Sequence, residues 1–173
     1  MQAVAHAIPT LYRGVQMRSR LEARWAAFFD SLRWPWTYEP FDLAGYIPDF
    51  VLTFERPLLV EVKPAMSLDD MGAAKTKIDR SGWDGEALVV GAALFELDAT
   101  HPIIGAHRER DGEWDRARLF FCLSCGSTSL LNESGSWRCR VCDQGDGNAH
   151  VGHLLAIVEG WNDAGNRVQW RPE

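Results

Sequence analysis

Leu21, Trp25, Phe28 and Leu32 recur at steps of three and four residues, and Phe29 widens the stripe. That spacing predicts an amphipathic helix over 16–32, stopped by Pro35. The aromatic, β-rich stretch 36–43 reads as a strand. Two more follow, over 50–54 and 58–63. The connection Glu55-Arg56-Pro57 is short enough for a hairpin between them, and Pro64 closes the second. Met71, Ala74 and Ile78 return at helical spacing, so 67–81 is expected to be helical, with Gly82 ending it. The apolar run 87–94 has the length of a buried strand. The polar stretch 98–118, punctuated by Pro102, Gly105 and Gly112, reads as loop with room for one short strand. Residues 118–122 suggest a further strand, and 151–165 a final helix docking on the sheet. The order helix, three strands, helix, strand is an α/β pattern with an antiparallel start and a parallel or mixed continuation.

The chain has 173 residues, of which 46 % are hydrophobic and 24 % charged. That is an ordinary globular composition for one domain with a small added module, and it excludes a mostly disordered chain. The apolar runs are too short for a bilayer and the first ten residues lack a secretory pattern, so a cytoplasmic location is expected, with no membrane partner. The net charge of −6 argues against a large non-specific nucleic-acid binder. The charge is uneven, though. Residues 1–64 hold seven basic and seven acidic side chains, with Arg13, Arg18, Arg20 and Arg24 close together. A nucleic-acid surface is expected there, on Arg18 and Arg20.

Chemistry is concentrated in Pro48-Asp49-Phe50 and Val60-Glu61-Val62-Lys63. Side chains alternate on a strand, so Glu61 and Lys63 share one face while Val60 and Val62 enter the core. Burying them needs partners. Pairing of 50–54 with 58–63 brings Asp49 next to Glu61. Two adjacent carboxylates repel, and a hard cation such as Mg²⁺ relieves this. A water on that cation can lose a proton near neutral pH and attack phosphorus, with Lys63 holding the water or neutralising charge. The plainer alternative is a surface hairpin with a solvated Glu61–Lys63 pair.

Pro48-Asp49 followed by Glu61-Val62-Lys63 resembles the PD-(D/E)xK signature of restriction-endonuclease-like nucleases. The likeness covers 15–94. It implies a restriction-endonuclease-like three-layer α/β/α core. It also implies that Asp49, Glu61 and the Val62 carbonyl bind Mg²⁺ or Mn²⁺, and that Lys63 is catalytic. The first helix of that family often carries an acid near the metal, and Glu22 has the right place. Lys75 and Lys77 on the second helix would touch the phosphate backbone. Tyr38-Glu39-Pro40 and Glu61-Val62-Lys63-Pro64 resemble the end-cleaving subunits of some transposons, and small nucleases of phages and mobile elements are similar. The implied activity is DNA phosphodiester hydrolysis leaving a 5′ phosphate, with a recruiting protein partner or a homodimer. The alternative is a catalytically inactive nuclease-like scaffold acting as a zinc-ribbon adaptor for protein or nucleic acid; an RNA nuclease is a third reading.

All four cysteines fall in two pairs, Cys122-Leu-Ser-Cys125 and Cys139-Arg-Val-Cys142. Two such knuckles in a chain expected to be cytoplasmic predict one tetrahedral Zn²⁺ site, structural because its shell is closed. Disulfides and a redox role are the alternatives. Gly126 eases the turn. Gly135 and Trp137 in the gap suit a small ribbon, with Arg138 and Arg140 flanking Cys139. Four thiolates leave no place for His150 or His153. The chain thus divides into a nuclease core over 1–118, a zinc ribbon inserted over 119–146 and a C-terminal helix over 147–173. The eight tryptophans, Trp25, Trp34, Trp36, Trp83, Trp161 and Trp170 among them, are expected mainly to pack.

Overall fold

The computed structural model describes residues 7–95, 102–132, 138–145, 149–150 and 154–169. Gly135, Trp137, His153 and Trp170 lie outside the described residues.

The chain opens on a two-stranded ribbon, β1 (Thr10–Tyr12) and β2 (Val15–Met17), that the sequence reading missed. Arg13 and Gly14 join them with φ of 48° and 80°, the left-handed pair that a two-residue hairpin requires. Helix α1 (Arg20–Ser31) follows, shorter than expected at its start. Ser19 sets that start: its side chain accepts from the backbone N–H of Glu22 and donates to the Glu22 carboxylate. Trp25, Phe28 and Phe29 are fully buried along the predicted stripe.

Three antiparallel strands come next: β3 (Trp36–Tyr38), β4 (Phe50–Leu52) and β5 (Leu58–Val62). The expected hairpin forms, with Phe50 opposite Val60. A 3₁₀ turn (Asp69–Met71) leads into α2 (Gly72–Asp79), which returns the chain so that β6 (Glu86–Phe95) lies parallel to β5. This is the predicted antiparallel start and mixed continuation.

The sheet then grows beyond expectation. β7 (Ile103–Arg108) and β8 (Trp114–Cys122) occupy most of the segment read as loop, and both are antiparallel to their neighbours. β9 (Thr128–Asn132) and β10 (Ala149–His150) pair with β8, completing an eight-stranded sheet. β8 crosses position 118, so the sheet itself delivers Cys122. Hydropathy hid β7 because it ends in His107 and Arg108, which are buried on opposite faces of the sheet, and both have partners. His107 Nε2 is 3.0 Å from Glu86, and Arg108 donates to Asp79 at 2.8 Å.

Helix α3 (Leu154–Gln169) ends the described chain and packs on α1. The Trp25 and Trp161 rings are 4.6 Å apart, and Arg24 lies over the Trp161 ring. Val60, Val62, Leu88 and Val90 share a core with α1 and α3. Leu59, Ala87 and Val89, of alternate parity, share one with Met71, Ala74 and Ile78. The protein is therefore a mixed α/β sheet with α1 and α3 on one face and α2 on the other. Packing explains Trp25, Trp34 and Trp161, and the Trp34 indole also donates to the Thr128 carbonyl. Among the described residues no helix is long and apolar enough to cross a membrane.

Candidate active site and cysteine centre

The β4–β5 register places Asp49, just before β4, against the end of β5. The Val62 N–H donates to Asp49 Oδ2 at 2.7 Å. Glu61 points to the α2 face, where Tyr46 donates to its Oε2 at 2.8 Å. Lys63 Nζ reaches Glu61 Oε1 at 2.6 Å, and Lys77 Nζ, from α2, lies 3.8 Å from the same oxygen. Lys77 also sits over the Tyr46 ring at 4.5 Å. Asp49 is only 5 % exposed and Glu61 2 %, so of the Glu61–Lys63 pair only the lysine end meets solvent.

Glu22 enters from the first turn of α1. Three donors hold its carboxylate: Tyr38 Oη at 2.6 Å, Ser19 Oγ at 2.8 Å and the Arg18 N–H at 3.1 Å. Arg18 spans the acids on the open side. Its Nη2 is 2.6 Å from Asp49 Oδ1 and its Nε 2.9 Å from Glu39.

The electrostatics follow from this crowding. Burial first, then the negative charge of Glu61, pushes Asp49 up to about 7; Glu22 adds to the rise, while the Val62 N–H and Lys63 oppose it. Burial and the hydrogen bond to Glu22 push Tyr38 up to about 12. Burial and the Glu61 charge raise Tyr46 as well. Both phenols therefore stay protonated and act as donors to the carboxylates.

The fold thus brings together Glu22, Asp49, Glu61 and Lys63, with Arg18 and Lys77 at the edge. Val62 contributes its N–H to Asp49 from the last position of β5. Lys75 points elsewhere, its Nζ 5.9 Å over the Trp114 ring, and among the described residues neither Lys75 nor Arg20 joins the ion pairs of this cluster. Tyr46 escaped the sequence reading, and Tyr38 entered it only within the Tyr38-Glu39-Pro40 likeness, not as a partner of Glu22, because phenols carry no motif signal of their own. The Ser19-x-x-Glu22 spacing was legible as a capping box and would have fixed the start of α1.

The second cluster is the cysteine set. The sulfur atoms of Cys122, Cys125, Cys139 and Cys142 all lie within 4.8 Å of one another. Cys122–Cys142 and Cys125–Cys139 are each 3.7 Å apart, far beyond a disulfide bond. A tetrahedron of sulfurs about 2.3 Å from a central ion has edges of about 3.8 Å, so four thiolates here fit one metal ion such as zinc. Gly126, with φ of 70°, makes the turn after Cys125. Burial opposes ionisation of Cys125, but hydrogen bonds from Ser127 and the neighbouring cysteines outweigh it and bring it down to about 7. Burial pushes Cys139 up to about 12.

Beside the cysteine set lies a buried ionic group that the sequence reading did not assemble. Glu86, at the start of β6 and 4 % exposed, accepts from Arg140 of the second cysteine knuckle and pairs with His107. Burial alone would raise Glu86; His107 and Arg140 outweigh it and hold the carboxyl down at about 2. Burial lowers His107 below its ordinary value.

No protein-family model, curated protein or solved structure matches this chain.

Proposed function

We propose that the protein is a metal-dependent DNA endonuclease that hydrolyses phosphodiester bonds, and that its cysteine cluster holds a structural Zn²⁺. One observation carries the reading: Asp49 and Glu61, both buried, meet at the end of β5 with Lys63 2.6 Å from Glu61. Two buried carboxyls this close repel each other when both are ionised, and a divalent cation would relieve that repulsion.

Asp49, Glu61 and the Val62 carbonyl are the groups that would hold Mg²⁺ or Mn²⁺. Bound there, the ion supplies Lewis acidity toward a phosphoryl oxygen and acidifies a water. The chain's own residues do the rest. The Val62 N–H fixes Asp49, and Tyr46 fixes Glu61, so neither carboxylate needs to reorganise. Lys63 leaves Glu61 to place its ammonium beside the attacked phosphate or to take part in proton transfer to and from the water. Tyr38 and Ser19 keep Glu22 aimed at the same space. Lys77 and Arg18 offer positive charge to the nucleic-acid backbone.

The test is cleavage of supercoiled plasmid, single-stranded circle and a four-way junction by zinc-loaded protein with Mn²⁺. Wild type is expected to cut at least one form, and Lys63→Ala to reduce the rate by about a hundredfold or more while keeping fold and zinc content. Wild-type protein that leaves every form intact, with Mn²⁺ demonstrably bound, would overturn the reading.

A second reading has its own support. Arg18, Lys63 and Lys77 already pair with Asp49 and Glu61, as in an inactive scaffold whose acids need no metal. It describes a zinc-ribbon adaptor binding nucleic acid or protein. Mn²⁺ titration separates the two: an adaptor takes up no Mn²⁺ that depends on Asp49.

A further inference from the structure

Asp49 has two carboxylate oxygens, and the fold has committed one of them. Oδ2 accepts the Val62 N–H within the sheet. Oδ1 is the oxygen left to face the open side of the cluster, and the Arg18 guanidinium holds it at 2.6 Å. Oδ1 is the oxygen without a backbone partner, so a divalent cation approaching Asp49 from the open side competes with the guanidinium for it. Two positive groups on one carboxylate repel each other, so cation binding there weakens the hold on Arg18.

Arg18 is built to be the one that moves. Its backbone N–H is pinned, donating to Glu22 Oε2 at 3.1 Å and to Tyr38 Oη at 3.0 Å. Its side chain is 56 % exposed, against 7 % for Asp49. The backbone is therefore a pivot, the carboxylate is fixed, and the guanidinium can swing into solvent. Its other partner, Glu39, stands at the same rim. A guanidinium released there faces the side from which a substrate would approach, and its planar fork matches two phosphate oxygens.

We propose that Arg18 is a two-position residue: without a divalent cation it occupies Asp49, and cation binding at Asp49 transfers it to a phosphate of the nucleic-acid substrate. The proposal rests on Asp49 and Glu61 being the cation site. It makes cation and nucleic acid cooperative through one side chain, and the coupling is reciprocal, each raising the other's affinity by the same factor.

Zinc-loaded wild type, Arg18→Ala and Arg18→Met are compared, with Asp49→Ala as the control for the cation site. Circular dichroism checks their folding; Arg18→Met keeps the apolar stem of the side chain. Mn²⁺ affinity is read from the electron paramagnetic resonance of free Mn²⁺. Binding of a fluorescent duplex oligonucleotide is read by anisotropy, with and without Ca²⁺. Both Arg18 variants should bind Mn²⁺ about tenfold more tightly than wild type, because the competing cation is gone. They should also lose most of the Ca²⁺-induced gain in DNA affinity that wild type shows. Variants binding Mn²⁺ no more tightly than wild type would overturn the competition. A Ca²⁺ gain as large in the variants as in wild type would overturn the transfer to phosphate. If wild type and Asp49→Ala take up Mn²⁺ alike, the cation site itself fails, and the proposal falls with it, by a result distinct from the other two.

Discussion

Asp49 is the side chain on which the candidate chemistry turns, and its own ionisation offers a check that needs no substrate. The folded protein holds its proton up to about pH 7, whereas the unfolded chain releases it near 3.8. Between those values the folded state binds the extra proton, so stability falls as pH rises across the window and stays low above it. Asp49→Asn removes the ionisation. In zinc-loaded protein free of other divalent ions, its urea midpoint should exceed that of wild type at pH 8 and should vary less between pH 4 and 7. Glu61 and Lys63 were legible at this scale because strand alternation dictates their shared face. Arg18 was legible only as one basic residue among several. Its pairing with Asp49 depends on β2, α1 and β4 converging, and no local pattern encodes that.

Elements were read well where one face is apolar and poorly where burial is ionic. The stripe of α1, the β4–β5 hairpin, the short α2 and the apolar β6 all follow from spacing. β7 does not, because its buried His107 and Arg108 look soluble until Glu86 and Asp79 are placed beside them. Gly105, read as loop punctuation, lies at the register shift where β7 meets β8, and it is pressed against β6. A Cβ built there would come 1.9 Å from the Val89 carbonyl oxygen. Gly105→Ala is therefore expected to force β6 and β7 apart and to destabilise the fold by about 3 kcal/mol or more, measurable by urea unfolding. Because β6 also pairs with β5, which carries Glu61, the folded fraction of this variant should bind Mn²⁺ less tightly.

At the scale of the molecule the cysteine module and the sheet are joined by a charge. Arg140, its side chain 6 % exposed, lies between Cys139 and Cys142 and neutralises Glu86, with Arg56 lying 3.4 Å from the other Glu86 oxygen. Arg140→Met leaves a buried carboxylate facing only His107 and Arg56, which should destabilise the protein by about 3 kcal/mol. Adding Glu86→Gln should recover much of that loss, a double-mutant coupling read in urea. Chelating the metal should lower the melting temperature of wild type more than that of the double variant. The sequence displayed the four thiols plainly. It concealed the salt link because Arg140 reads as a solvated residue flanking a ligand, and Glu86 as the polar edge of an apolar strand.

Arg140 follows Glu86 by 54 positions, and Trp161, whose carbonyl Arg24 grips, follows that arginine by 137. Chains emerge from the ribosome at about 5–20 residues per second, N-terminal end first. The aromatic stripe of α1 and the acid of β6 are therefore made seconds before the groups that cover and neutralise them. The first half of the protein must wait, unfinished, for the last third. The core that holds β4 and β5 is therefore closed only once Ile157 and Trp161 of α3 have been made.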